Sequence, residues 1–193
     1  MLVDVSHDFS RYFSLAEAQL PFMGWLMLCL WVFNLVNWIL LRSSLNLLGL
    51  YPRSAFGLVG IVFSPLLHAD FNHLFFNSIP FFVLGMFILA QGQDIFITVT
   101  LSIAVLQGLC VWLLGRKYLH IGASGIISGY FGFVLGMAYF QPTAISLVLA
   151  AVALYYFGSI ITGIFPTSEA VSWESHFAGL VAGLIVLFTL VSF

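Results

Sequence analysis

The sequence predicts an all-α polytopic membrane protein: a bundle of six transmembrane helices, with a long interfacial loop between the first and the second. Three observations predict it. Of 193 residues, 62% are apolar and only 6% are charged, five Lys or Arg and seven Asp or Glu, where soluble domains carry roughly a quarter. Mean hydropathy is +1.14. The apolar residues also fall into six stretches close to the ~20 residues that cross a bilayer, none containing Lys, Arg, Asp or Glu. Such sparse charge cannot cover a water-soluble surface. Five scattered cations make no basic patch, which excludes nucleic acid as a partner.

The first stretch covers 20–41, after a short N-terminal tail at 1–19. That tail carries Asp4, Asp8 and Glu17 in place of a basic start, and no small-residue cleavage site follows the apolar run. The run therefore reads as a permanent helix and not as a signal peptide. The connection 42–71 is long, apolar and interrupted by Gly49, Pro52 and Pro65. It is expected to lie in the interface, covered by the helices, because exposed non-helical backbone is not tolerated in hydrocarbon. The second helix, 72–91, ends at the Gln-Gly-Gln-Asp turn, and the third, 95–115, at Arg116-Lys117. The fourth, 124–140, ends at Gln141-Pro142, the fifth, 143–165, at Pro166, and the sixth covers 175–191. The chain 1–193 reads as one domain. Cys29 and Cys110 lie within apolar runs and read as small buried hydrophobes.

With six spans, the second, fourth and sixth helices start on the same side, so polar residues near their starts lie at similar depth. Polar groups are expensive in hydrocarbon and mark function. His73 and Asn77 stack on one face of the second helix; they serve either as interhelical glue or as converging donors. Asp70, three residues before His73, is placed to cap that helix. The fourth helix opens Gly122-Ala-Ser124-Gly125. Ser124 could be an N-cap, but Gly122, Gly125, Gly129, Gly132 and Gly136 recur at spacings of three and four, giving a face bare of side chains for close packing. This helix has 17 residues, about 26 Å at 1.5 Å each. That is less than the ~30 Å core, so the serine end is recessed. His176 shares a face with Gly179 and Gly183 on the sixth helix.

A serine needs a base within reach to act as a nucleophile. Histidine suits that role, and donors must meet the oxyanion. Ser124 and His176 supply the first pair. His73, Asn77 and the Ser124 N–H supply the donors. Glu174 points about 200° from His176 on a helix, leaving a dyad, with Asp70 as a minor alternative orienter. His120 lies in the loop before Ser124 and reads as structural. No HExxH motif and no i, i+4 histidine pair points to a metal, and no cofactor is expected.

These residues resemble those of the rhomboid intramembrane serine proteases. His68-Ala-Asp-Phe-Asn-His73 through Asn77 is similar to the family's second-helix histidine and HxxxN signature. Gly122-Ala-Ser124-Gly125 is similar to its GxSG motif, and His176-Phe-Ala-Gly179-Leu-Val-Ala-Gly183 to its HxxGxxxG motif. The resemblance implies Ser124 as nucleophile and His176 as general base. It implies an oxyanion hole of His73, Asn77 and the Ser124 N–H, with His68 supporting near the cavity beside Gly122 and Gly125. The partners it implies are the lipid bilayer and a transmembrane protein substrate, cut near the membrane surface and gated by the fifth helix and a cap loop around 166–174. It also implies a multi-pass location in a bacterial inner membrane, with the active site opening outward. The positive-inside rule opposes that orientation: Arg42, Arg53, Arg116 and Lys117 lie on the active-site side, against Arg11 on the other. One departure from the family is Ser128, where some members carry an aromatic that stacks on the histidine. Two other readings use the same residues. One is a rhomboid-like helix-binding or chaperone protein without catalysis. The other is a small transporter, disfavoured by the lack of intramembrane charge.

Overall fold

The computed structural model describes residues 2–166 and 172–191. Helix α1 (Leu2–Ile39) is longer than its apolar stretch: the expected tail is helical from Leu2 and continuous with the first span. Residues 2–19 hold no Gly or Pro to stop the helix. The Tyr12 hydroxyl donates to the Phe87 carbonyl at 3.1 Å, and Gln19 accepts from Gln93 at 2.8 Å. This tertiary tie extends the helix where hydropathy alone ends it.

The long loop folds as short 3-10 turns around a four-residue helix, α2 (Gly60–Phe63). It is pinned to the bundle at several points. Leu50 forms an isolated antiparallel bridge with His120, Trp112 Nε1 donates to the Ser54 carbonyl at 2.8 Å, and Arg53 donates to the Leu113 carbonyl at 2.9 Å. Covered backbone is what an apolar, Gly/Pro-rich loop at a membrane surface requires.

The remaining helices are α3 (Phe71–Leu89), α4 (Gln93–Leu114), α5 (Ser124–Phe140), α6 (Ala144–Phe157) and α7 (Trp173–Val191). Among the described residues, five helices are long and apolar enough to cross a membrane, counting α6 with its extension to Ile164. At 17 residues, α5 is the short apolar helix that the sequence indicates.

Helix α5 sits at the centre. Every residue from Gly125 to Val134 is buried. Its glycine face meets α7 backbone to backbone: a Cβ on Gly179 would overlap the Gly125 carbonyl, and one on Gly183 the Gly129 carbonyl. Small residues let helices approach this closely. Tyr130 is fully buried and shares a 2.6 Å hydrogen bond with Thr100 of α4.

Two expectations are corrected. Cys29, read as buried, is exposed on α1; a lipid-facing surface is as apolar as the interior, so hydropathy does not separate them. The fifth span is not one α-helix to Phe165. It changes at Gly158 into a 3-10 segment, Gly158–Ile164, where two glycines and a Thr162 hydroxyl bonded to the Ser159 carbonyl at 2.7 Å compete with the α-helical ladder.

Candidate active site

The starts of α3, α5 and α7 enclose a cavity of about 840 Å³ lined by Ser124, His176, His73 and Asn77, together with Ser128, Tyr118, His120 and Ser172. The sequence places the first four at one depth, and the fold brings them to one space.

Ser124 is the first helical residue of α5. The capping position is Ala123, which offers no side-chain bond, so the serine is not used as an N-cap. The preceding Gly122 has φ +116°, a backbone conformation that glycine adopts freely. Its N–H donates to the Ser64 carbonyl at 2.8 Å, fastening the turn to the loop below. The hydroxyl is thus left at the positive end of α5, facing the cavity.

His176 occupies the first part of α7. Its Nδ1 is buried without a hydrogen-bond partner. Against that nitrogen lies Gly163, where an added Cβ would overlap the ring. The 3-10 segment after α6 therefore lies against the imidazole, and residue 128, a serine, supplies no aromatic to stack on it. The nearby aromatics Tyr130 and Phe131 are fully buried in the hydrophobic core. Among the described residues, no hydrogen bond joins Ser124 to His176, although both line the same cavity.

His73 and Asn77 converge as their spacing predicts. The Ala69 N–H points to His73 Nδ1 at 3.4 Å. A backbone amide only donates, so Nδ1 accepts, and the ring proton is assigned to Nε2. A Cβ on Gly122 would stand 2.6 Å from that Nε2 and 3.4 Å from Asn77 Nδ2. Both donors therefore lie over the turn that leads into Ser124. Asn77 Nδ2 is buried and unpartnered, an arrangement that leaves donor capacity free.

His68 lies next to the cavity without lining it. It is 0% exposed. Its ring lies behind His73, with centroids 5.0 Å apart, and both its nitrogens lack partners. Burial, with the neighbouring His73, pushes its pKa down to about 3. Asp70 serves at the start of α3 and not at His176: its Oδ1 accepts from the His73 N–H at 2.9 Å. Glu174 faces Arg116, with Nε to Oε1 at 2.6 Å. His120 has the structural bonds expected of it, its Nε2 lying 3.1 Å from the Arg116 carbonyl, and it also borders the cavity. The cap loop expected around 166–174 includes 167–171, outside the described residues.

Sequence reasoning missed Asn34 and Asn37 on α1, both 0% exposed. Asn34 accepts from the His68 N–H at 2.9 Å and donates to the Leu66 carbonyl at 2.9 Å. Asn37 accepts from the Leu45 N–H at 3.1 Å. Asn34 fastens the end of the loop that leads into α3 and Asn37 its start after α1, and their spacing of three within an apolar stretch was the available signal.

Fold and cavity define a multi-pass helical membrane protein whose polar groups gather at one end of a recessed central helix. Residues 55–193 match the family model of the Rhomboid domain, and the chain belongs to the rhomboid family. It is 37% identical to an uncharacterized protein of Mycobacterium tuberculosis over 157 residues, covering 77% of this chain and 65% of that protein. An uncharacterized protein of Mycobacterium leprae is 32% identical over 160 residues, covering 78% of this chain and 63% of the relative. A Bacillus subtilis protein, named provisionally as the rhomboid protease YdcA, is 28% identical over 125 residues, covering 64% and 62%. The chain thus spans less than two thirds of the length of these relatives.

Proposed function

We propose that the protein is an intramembrane serine endopeptidase that hydrolyses peptide bonds in or near transmembrane segments of other membrane proteins. One observation carries the reading: an uncapped serine at the start of α5 shares a single cavity with a histidine of α7 and with two donors that converge on the Gly122 turn. In this reading His176 takes the Ser124 hydroxyl proton as Oγ bonds to the scissile carbonyl carbon. Nε2–H of His73, Nδ2 of Asn77 and the Ser124 N–H hold the oxyanion. The intermediate collapses to an ester, and the leaving amine departs with the proton from His176. Water, deprotonated by the same histidine, then releases the acid and restores Ser124. The serine and histidine are not bonded in the free protein, and such bonds commonly tighten only when substrate is present.

A second reading, a rhomboid-like protein that binds helices without cutting them, draws on that same missing bond. Reconstitution with a model transmembrane substrate separates the two. The protease reading expects cleavage that disappears in Ser124→Ala and His176→Ala, and labelling of Ser124 by a fluorophosphonate. Cleavage that persists in Ser124→Ala overturns the nucleophile; absence of both cleavage and labelling favours the binding protein. We also place the active-site end outside a bacterial inner membrane. A reporter fused after Phe193 tests this, since the termini share the opposite side.

A further inference from the structure

The polar cluster that borders the cavity through Tyr118, His120 and Ser172 is more elaborate than a loop anchor needs. Arg116 follows α4, and Glu174 lies two positions before His176. Glu174 Oε1 accepts from Arg116 Nε at 2.6 Å and from the Arg116 backbone N–H at 3.2 Å. Its Oε2 accepts from Arg116 Nη2 at 3.2 Å and from the Tyr118 hydroxyl at 3.3 Å. The guanidinium also lies 5.1 Å over the Tyr118 ring, which stacks on His120 at 4.0 Å. His120 Nδ1 is 2.7 Å from the Ser172 hydroxyl, itself 2.7 Å from that of Ser175. His120 Nε2 points to the Arg116 carbonyl; a carbonyl only accepts, so in the neutral ring Nδ1 accepts from Ser172.

This ties the segment that leads into Ser124 to the segment that leads into His176. Deeper in the bundle, glycine contacts between α5 and α7 set the helix spacing. Those contacts run from Ser175, whose carbonyl would stand 3.2 Å from a Cβ on Gly125, down to Gly179 and Gly183. The cluster adds a polar bridge between the segments just before the two residues. Glu174 is 9% exposed and half of a charge-assisted, two-toothed pair, the stronger and more directional kind.

We propose that Arg116 and Glu174 are positioning residues that set the separation of Ser124 from His176, with Tyr118 and His120 stiffening the link. The inference rests on the serine-protease reading. Misplacement of a reacting group by about 1 Å can lower rate about 100-fold, so Arg116→Gln and Glu174→Gln are expected to lower kcat about 10- to 100-fold, with KM changed less than about twofold. Fluorophosphonate labelling of Ser124, which needs no substrate helix, falls in parallel. Arg116→Lys keeps the charge but loses the fork and lands between wild type and Arg116→Gln. The paired exchange Arg116→Glu with Glu174→Arg regains part of the labelling rate lost by either single change. Tyr118→Phe removes one hydroxyl, keeps the ring, and lowers labelling severalfold should the glutamine variants not fold. If these variants match wild type in kcat and labelling, whatever their thermal midpoints, the positioning role is overturned while Ser124-dependent activity of the wild type stands. A wild type that neither cleaves nor labels overturns the protease reading and this role together.

Discussion

Gly163 lies against Nδ1 of His176, so close that a single added methyl group would overlap the ring. In the protease reading His176 changes protonation during reaction and needs its ring held, and the Gly163 backbone lies against it. Gly163→Ala is expected to displace the imidazole and lower turnover of a model substrate about 10- to 100-fold. Gly158→Ala, at the other end of the same 3-10 segment and with nothing within 4 Å of its added Cβ, should stay close to wild type. Equal rates for the two variants would remove Gly163 from the support of the base.

The α5–α7 contact makes a sharper stability prediction. A Cβ at Gly179 or Gly183 meets a rigid carbonyl of the facing helix, so neither side can yield without separating the helices. Each Gly→Ala change should destabilise by about 1–3 kcal/mol or more. By contrast, Gly24→Ala, in open space on α1, should be neutral or stabilise by up to about 1 kcal/mol through helix propensity. Unfolding in mixed micelles measures both.

His73 and Asn77 present donors toward the turn before Ser124. In the protease reading each alanine variant lowers turnover about 10- to 1,000-fold, with little loss of substrate binding. Unchanged turnover with lowered stability would identify the pair as interhelical glue.

His68 ties stability to pH. Its folded pKa is lowered to about 3 by burial and by His73, below the ~6.5 of a free histidine. The unfolded chain therefore takes up the proton first. The neutral form's contribution is complete above about pH 6.5 and is lost as pH falls below it, by roughly 1.4 kcal/mol per unit. Thermal midpoints should drop between pH 7.5 and 5.5 in wild type and less in His68→Gln. Equal drops in both would show that His68 does not carry the effect.

Much of this arrangement is written in spacing. His73 and Asn77, Ser124 before its glycine stripe, and His176 with Gly179 and Gly183 each follow the helical repeat, so one sequence places them on faces, and parity places them at one end. What escaped depends on contacts between distant segments. Residues 2–19 carry charge, yet Tyr12 and Gln19 hold them helical against α3 and α4. Hydropathy extends the fifth span to Phe165, while backbone competition turns Gly158–Ile164 into a 3-10 segment whose Gly163 lies against His176. Glu174 points away from His176 as its spacing requires, but its partner lies 58 positions earlier at Arg116, beyond any local pattern. Cys29 shows the limit of hydropathy itself, which reads lipid and core alike.

A 17-residue apolar helix facing lipid would strain its bilayer, since about 26 Å of helix falls short of the ~30 Å hydrocarbon thickness and the membrane must thin or the helix adapt. Helix α5 avoids this because it is enclosed by protein from Gly125 to Val134. Its length is matched to its neighbours and not to the acyl chains, so the depth of Ser124 is measured from the protein's own frame. Membranes of different thickness would tilt or compress the peripheral helices first and leave that depth nearly unchanged.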